Sequence, residues 1–153
     1  TLSDAELSYV SETKYLGVVI TAARSFRCSF DHVKLKFYRC FNAVYNRAKH
    51  ADSELVCVQL LKSFCLPIIL YAVEVVMPSK TVLRMLDNLL NRAVYKIFGC
   101  STAYDIRYIR STVDLPSIDG IVYKRNDKFA RSFRASGLSF ADHVLHVCNV
   151  YAG

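Results

Sequence analysis

The side chains whose types and spacing could perform chemistry in this chain are cysteines, histidines and a large excess of basic residues. Cys28 and His32 stand one helical turn apart, and His143, His146 and Cys148 cluster near the C-terminus. A structural zinc site takes four ligands, and neither set supplies them. Cys/His nucleophilic catalysis has the residue types here but no flanking signature. We therefore expect no metal, no cofactor and no catalytic residue within this chain.

The basic residues are the stronger signal because they are concentrated in two segments of a chain whose formal net charge is +7. Between residues 24 and 49 the only acid is Asp31. The first group is Arg24, Arg27, Lys34, Lys36, Arg39, Arg47 and Lys49, and the second is Arg107, Arg110, Lys124, Arg125, Lys128, Arg131 and Arg134. Such segments indicate an anionic partner, nucleic acid first, although solvated helix faces produce the same pattern.

The elements that must position these side chains are predicted to be mostly helical. The composition, 53% hydrophobic and 22% charged with three Pro and five Gly, is that of a folded chain with long helices. Tyr9 to Thr21 is rich in β-branched and aromatic residues, which predicts a hairpin whose turn lies at Ser11–Lys14. Gly17, inside the second predicted strand, would mark a bulge or the close approach of another backbone. The six cysteines lack paired spacing, so reduced and mostly buried thiols are expected.

Apolar residues at three- and four-residue steps predict amphipathic helices on both sides of an apolar centre. The first runs from about Ser29 to His50 and places Lys36, Arg39 and Arg47 opposite its apolar stripe. The later helices are predicted from a Ser79 cap to Gly99, from Ala103 to Ser111, from a Ser117 cap to about Arg134, and from Phe140 to Val150.

The apolar centre, Leu55 to Val76, has apolar side chains in nearly every direction if it is helical, so lipid or protein must cover it. About 20 apolar residues span a bilayer, but Lys62 and Glu74 interrupt the run and Pro67 breaks its hydrogen bonding. We expect a kinked central helix that the amphipathic helices bury, with no membrane as partner.

Four stretches in this order resemble the reverse transcriptases of non-LTR (LINE-like) retrotransposons, over residues 13 to 134. Lys14 to Val18 with Ile20 is similar to the family's "KYLGV-x-I", and Leu60 to Tyr71 with Glu74 is similar to "LPILLYGxE". The other two are Leu86 to Gly99, which resembles a helix ending in an "RRILG"-like turn, and Val113 to Ile118 with Lys124 and Arg125. The sequence departs from the family at Ala72, where Gly is usual, and lacks an aromatic shortly after Glu74.

The resemblance implies a mainly α fold, a thumb-like helical bundle with an N-terminal β-hairpin. Residues 1–23 would end the palm-like hairpin, 24–100 would form the thumb, and 101–153 would be a basic helical C-terminal segment. The family transfers phosphoryl groups with two metal ions held by clustered carboxylates, including Tyr-x-Asp-Asp. This sequence has no adjacent Asp pair, and that site would fall before Thr1. We expect a fragment of a longer reading frame, without a secretory signal and inert alone, whose parent enzyme requires Mg²⁺.

By resemblance, the chain would grip the primer and hold an RNA–DNA or template–primer duplex. Tyr15, Leu16 and Gly17 would form the primer grip, and the duplex contacts would come from basic residues, Lys34, Lys36, Arg39, Arg47, Lys49, Arg84 and Arg92. The other expected partners are the upstream palm and fingers of the same polyprotein, in an intracellular setting, nuclear and cytoplasmic. The alternatives are a non-catalytic helical interaction module derived from a retroelement and, third, a self-contained enzyme.

Overall fold

The part of the chain that the computed structural model describes is residues 8–24, 27–50, 53–76, 78–100 and 102–137. It is mainly α-helical, with a small antiparallel sheet before the first helix. The predicted fold class is therefore confirmed. The predicted helix at Phe140–Val150 and the His143, His146 and Cys148 cluster lie outside the described residues.

The sheet has three antiparallel strands in the order β1-β2-β3, one more than the predicted hairpin. The strands are β1 Glu12–Tyr15, β2 Val18–Thr21 and β3 Arg27–Ser29. Tyr15 pairs with Val18, so the turn is Leu16-Gly17, and the prediction of a turn at Ser11–Lys14 is wrong. A two-residue hairpin turn of this kind requires a positive φ at both positions, usually from Asn-Gly. Leu16 and Gly17 have φ angles of 45° and 83°. Leucine is unusual at such a position, so the sequence did not indicate the turn.

The helices follow the predicted order, and their caps are largely those that the sequence indicates. They are α1 Asp31–Ala48, α2 Glu54–Leu60, a π-helical turn Leu61–Cys65, α3 Leu66–Ile69, α4 Val73–Val76, α5 Lys80–Phe98, α6 Ala103–Thr112 and α7 Ile118–Ala135. The Ser79 and Ser117 side chains accept backbone N–H groups at the starts of α5 and α7. Gly99 ends α5 with a φ of 64°, the left-handed conformation that glycine adopts without strain.

The central segment is not one regular α-helix, and Pro67 accounts for its π-helical turn. The backbone N–H of Leu66 donates to the carbonyl of Leu61, five residues earlier, which is the π-helical spacing. In a regular α-helix the Pro67 ring would clash with the carbonyl of Ser63, to which it cannot donate. The π-helical turn changes the hydrogen-bond spacing immediately before the proline. The chain then leaves α3 through Ala72, whose φ is 58°, and enters α4.

One buried cluster joins α1, the central segment, α5 and the start of α7. Phe37, Leu61, Ile69, Leu90 and Ile118 have no exposed surface. Burying one such side chain stabilises the fold by roughly 1.5–3 kcal/mol. Residues beyond position 100 thus contribute to the core, and the division into segments 24–100 and 101–153 stays a prediction.

The central segment is not covered on all sides, so the prediction that its neighbours bury it is wrong for one face. Leu55, Phe64, Tyr71 and Val75 are each more than half exposed. By length and composition alone, the segment Glu54–Val76 could cross a membrane. Its most apolar window is 39% buried inside the protein. An apolar face of this kind is a candidate contact surface. The absence of a membrane partner stays a prediction.

Candidate nucleic-acid interface

The hairpin turn, the predicted primer grip, is docked on the end of the central segment. The hydroxyl of Tyr71 donates to the carbonyl of Leu16 at 2.7 Å. A Cβ on Gly17 would lie 3.2 Å from the Tyr71 ring, so the close approach predicted at this glycine is made by a side chain. The side chains of Tyr15 and Leu16 are 66% and 74% exposed. The turn therefore presents these two side chains to solvent, while its backbone faces Tyr71.

The exposed junction between α1 and α5 brings positive charges and tyrosines together. A guanidinium nitrogen of Arg92 donates to the Tyr38 hydroxyl at 3.4 Å, and Lys96 Nζ donates to Asn42 Oδ1 at 3.1 Å. Lys96 Nζ also lies 4.9 Å from the centroid of the Tyr45 ring, a cation–π contact. Within the described residues, no ion pair neutralises Arg92 or Lys96. The junction therefore holds two fixed positive charges at the surface.

Lys34 and Lys49 extend this positive surface along α1. At about 100° per residue they lie roughly 40° and 20° around the helix from Tyr38, and both are exposed. At the N-terminal end of α1, Asp31 accepts a hydrogen bond from Ser29 Oγ at 3.2 Å. We use the name basic seam for this set of residues, namely Lys34, Tyr38, Asn42, Tyr45 and Lys49 of α1 with Arg92 and Lys96 of α5.

The structure leaves the other four predicted duplex contacts outside the basic seam. On α1, Lys36 and Arg47 lie roughly 160–180° around the helix from Tyr38, and Arg39 lies about 100° from it. Arg84 is two turns before Arg92 on α5. All four of these basic side chains are exposed. Sequence reasoning missed Lys96, although its position one turn after Arg92 could have indicated it.

Arg110, in the second basic segment, belongs to the interior rather than to an anion-binding surface. Its side chain is buried, and Nε donates to the carbonyl of Leu115 at 3.1 Å. The other guanidinium nitrogens donate to both carboxylate oxygens of Asp87, to Asn91 Oδ1 and to the carbonyl of Pro116, at 2.6–3.0 Å. All five donors are therefore used. Asp87 also accepts the first N–H of α7, so this ion pair fixes α5, α6 and α7 together.

Two further arginines of that segment are paired, which reduces its free positive charge. Arg125 bonds to Glu74 at 3.0 Å. Arg131 bonds to Asp127, and this hydrogen bond holds the pKa of the Asp127 carboxyl below its usual value. The second basic segment is therefore not a continuous anion-binding surface, because part of its charge is used inside the protein.

The described cysteines are free and buried or half-buried, as the sequence predicts. Burial, together with contact with Cys40 Sγ at 3.6 Å, raises the pKa of the Cys65 thiol to about 12. Burial likewise raises the pKa values of Cys28 and Cys57. A thiol that stays protonated at neutral pH is a poor nucleophile. Among the described residues, no group of three or more His, Cys, Asp or Glu side chains could hold a metal.

Three of the exposed surfaces described so far could bind a partner. They are the exposed side chains of the hairpin turn, the basic seam, and the exposed apolar face of the central segment. The basic seam is the only one of these three that combines several unneutralised charges with hydrogen-bonding side chains. Comparison with known proteins adds no assignment, since no family model, no curated protein and no solved structure matches this chain.

Proposed function

We propose that the chain is the thumb and adjoining segment of a reverse transcriptase of the non-LTR retrotransposon type, and that its basic seam holds the template–primer duplex. The observation that carries the proposal is the pair of unneutralised charges on Arg92 and Lys96, with Lys34 and Lys49 beside them. Lysine and arginine contacts with phosphate fix the position of a duplex without reading its sequence. This is the role that a polymerase thumb requires.

Support for the family comes from contacts between the stretches that carry the resemblance. Tyr71, in the "LPILLYGxE"-like stretch, bonds to the turn of the "KYLGV-x-I"-like stretch. Asp87, in the third stretch, bonds to the backbone N–H of Ile118 in the fourth. Ala72 has a positive φ at the position where the family usually has glycine. A left-handed backbone conformation favours glycine, which gives a physical reason for the glycine that the family usually has at that position.

Within this proposal the hairpin turn acts as the primer grip through Tyr15 and Leu16, whose side chains are exposed. The missing side chain of Gly17 leaves room for the Tyr71 ring, and its contact with the primer end stays a prediction. The parent enzyme would supply the catalytic carboxylates and Mg²⁺. The chain described here supplies position, and no step of phosphoryl transfer is assigned to it.

The test compares two triple variants that remove the same amount of charge, one from the basic seam and one from the part of α1 outside it. Lys34→Ala, Arg92→Ala and Lys96→Ala remove charge from the basic seam, whereas Lys36→Ala, Arg39→Ala and Arg47→Ala are the matched control. Affinity for a fluorescently labelled RNA–DNA duplex is measured by anisotropy over a range of salt concentrations, and circular dichroism checks that both variants fold.

The seam variant should bind more weakly and should lose about two to three units from the slope of log K against log salt concentration, since each phosphate contact contributes about 0.9 units. The control variant should retain nearly all of the slope. If both variants lost the same amount, or if the control lost more, the duplex would not lie along the basic seam.

The second candidate function is a non-catalytic helical interaction module, which the exposed apolar face of the central segment favours. The exposed side chains of Phe64 and Val75 fit a protein partner better than a phosphate backbone. This candidate predicts that the unmodified chain shows no salt-dependent binding to the duplex in the same assay. Measurable binding that falls steeply with salt would exclude it as the sole function.

A further inference from the structure

The outer face of α6 presents two tyrosines and an arginine that neither the fold nor the basic seam uses. Tyr104 and Tyr108 are 77% and 66% exposed. They are one helical turn apart, which places their Cβ atoms about 5–6 Å from each other on one face. Arg107 lies beside them and is also exposed. Within the described residues, no acid forms an ion pair with Arg107.

The helix that carries these side chains is held at both ends. Thr102 and Asp105 form a reciprocal capping box at its N-terminus, with hydrogen bonds of 3.1 and 3.3 Å. Near its C-terminus the guanidinium of Arg110 is bonded to Asp87 on α5. The carboxylate of Asp105, the acid of this helix, is thus used in the cap. The tyrosine rings therefore project from a fixed element with a free positive charge beside them.

A cleft of about 590 Å³ runs beside this face. Arg107 and Ser111 of α6 line one side of it, and Ser117, at the start of α7, lines another. Its volume lies within the range of small-ligand sites, roughly 300–1,000 Å³. Asp87 also lines the cleft but is neutralised by Arg110. The cleft offers hydroxyl groups and the unpaired guanidinium of Arg107, which suit a sugar–phosphate backbone, whereas the Asp114 carboxylate, which also lines it, disfavours one, so we place the phosphate at Arg107.

We propose that the outer face of α6 binds single-stranded nucleic acid, with bases stacked on Tyr104 and Tyr108 and a phosphate bound by Arg107. Every base has a flat face, so aromatic side chains bind unpaired strands with little sequence preference. Tyrosine has few rotatable bonds, so fixing it on a ligand costs little conformational entropy. The net charge of +7 attracts a polyanion and disfavours a basic protein partner.

This surface is separate from the basic seam, so the inference does not rest on duplex binding. The α6 helix is attached to α5 through Asp87 and Asn91, which bond to Arg110. Lys96 of the basic seam lies roughly 180° around α5 from Asp87. Arg92 of the basic seam and Ile106 of α6 line one small cleft, so the two surfaces adjoin along α5. They share no residue, and each set of side chains can be changed while the other remains intact.

The experiment measures anisotropy with labelled single strands of equal length, namely DNA, RNA and abasic DNA. The chain carrying Tyr104→Ala and Tyr108→Ala is compared with the unmodified chain and with Tyr123→Ala. Tyr123 is the matched control because it is 75% exposed but lies on α7. All three tyrosines are exposed, so the variants should fold, and circular dichroism checks this.

The double variant should bind single-stranded DNA or RNA at least about 25-fold more weakly, because stacking contributes at least about fivefold per base and two stacked bases are lost. Arg107→Ala should lower the salt slope by about 0.7 units. The Tyr123→Ala protein should bind like the unmodified chain, and the unmodified chain should bind abasic DNA as weakly as the double variant binds DNA. The proposal is overturned if the double variant binds like the unmodified chain, or if removing the bases leaves affinity unchanged.

The same measurements separate this proposal from the proposed function. Loss of duplex binding in the seam variant, with single-strand binding intact, supports two independent surfaces. If the tyrosine variant lost duplex and single-strand binding equally, α6 would be part of the duplex site and the present inference would fail. If no single strand bound the unmodified chain, while a protein partner did, the exposed tyrosines would be a protein-binding surface instead.

Discussion

Replacing Ala72 by glycine should stabilise this protein, although replacing alanine by glycine within a helix is usually destabilising. Ala72 has a φ of 58° between α3 and α4. In that left-handed region the Cβ of an L-residue lies too close to the following carbonyl, at a cost of about 1–2 kcal/mol. Glycine has no Cβ and removes this strain. The backbone carbonyl of Ala72 accepts N–H groups of Val75 and Val76, and these bonds do not depend on its side chain.

The size of the gain follows from two opposing terms. Relief of strain contributes about 1–2 kcal/mol in favour of glycine. The greater conformational freedom of glycine in the unfolded chain opposes it by about 0.4–1 kcal/mol. The net increase in the free energy of unfolding should be about 0.8 kcal/mol, within a range of about 0–1.6 kcal/mol, and the central value raises Tm by about 2–3 °C for a chain of this size.

The assay is urea and thermal unfolding followed by circular dichroism, with Ala43→Gly as the matched control. Ala43 is exposed within α1, where its backbone is right-handed. Glycine there should lower the free energy of unfolding by about 0.5–1 kcal/mol. The same chemical change should therefore have opposite signs at the two positions. If Ala72→Gly destabilised the protein as Ala43→Gly does, the left-handed turn after α3 would not exist in solution.

Two other predictions concern groups inside the fold. Arg110→Ala should lower the free energy of unfolding in urea by about 2–3 kcal/mol, because it leaves Asp87 and Asn91 without their buried donor. The control, Arg107→Ala on the same helix, should change the free energy of unfolding by less than about 0.5 kcal/mol. Equal effects of the two substitutions would contradict the assignment of Arg110 to the interior. Alkylation of Cys65 by iodoacetamide, measured by mass spectrometry, should stay slow up to pH 9. The pKa of this thiol is raised to about 12, and the reactive thiolate forms only near that pH. Reaction at the rate of an unfolded control would refute the burial of this thiol.

The helices could be predicted from sequence because their signals are local. In α5 and α7 the apolar period and the serine cap agree with each other, and Gly99 ends α5; α1 has the apolar period alone, without a serine cap. Such local signals specify a helix without tertiary information. The hairpin turn could not be predicted, since leucine rarely adopts a positive φ. In the structure a long-range hydrogen bond from Tyr71 to the carbonyl of Leu16 fixes the turn.

The candidate interface was predictable only as a list of charges. Sequence periodicity places Lys36 and Arg47 on one face of α1 and Lys34 on another, but only the packing of α5 against α1 shows which face receives more charge. Arg110 was indistinguishable from its exposed neighbours, because its burial depends on Asp87, which is 23 residues away in the chain. Whether a basic side chain is buried in an ion pair or exposed depends on the acid that packing places beside it. The spacing of residues within one helix does not contain that information.

Tyr71 joins three features that look unrelated in the sequence. Its hydroxyl fixes the carbonyl of Leu16, its ring occupies the space that a side chain at Gly17 would fill, and the next residue, Ala72, has a left-handed backbone conformation. A larger residue at position 17 would therefore have to displace the ring and would separate the hairpin from the central segment. Under the proposed function, the hairpin turn must keep a fixed position relative to the helices that hold the duplex. The contact between Tyr71 and the turn is a side-chain link that holds the turn in this position. It gives a physical reason for Gly17 and Tyr71 to occur together in the two stretches.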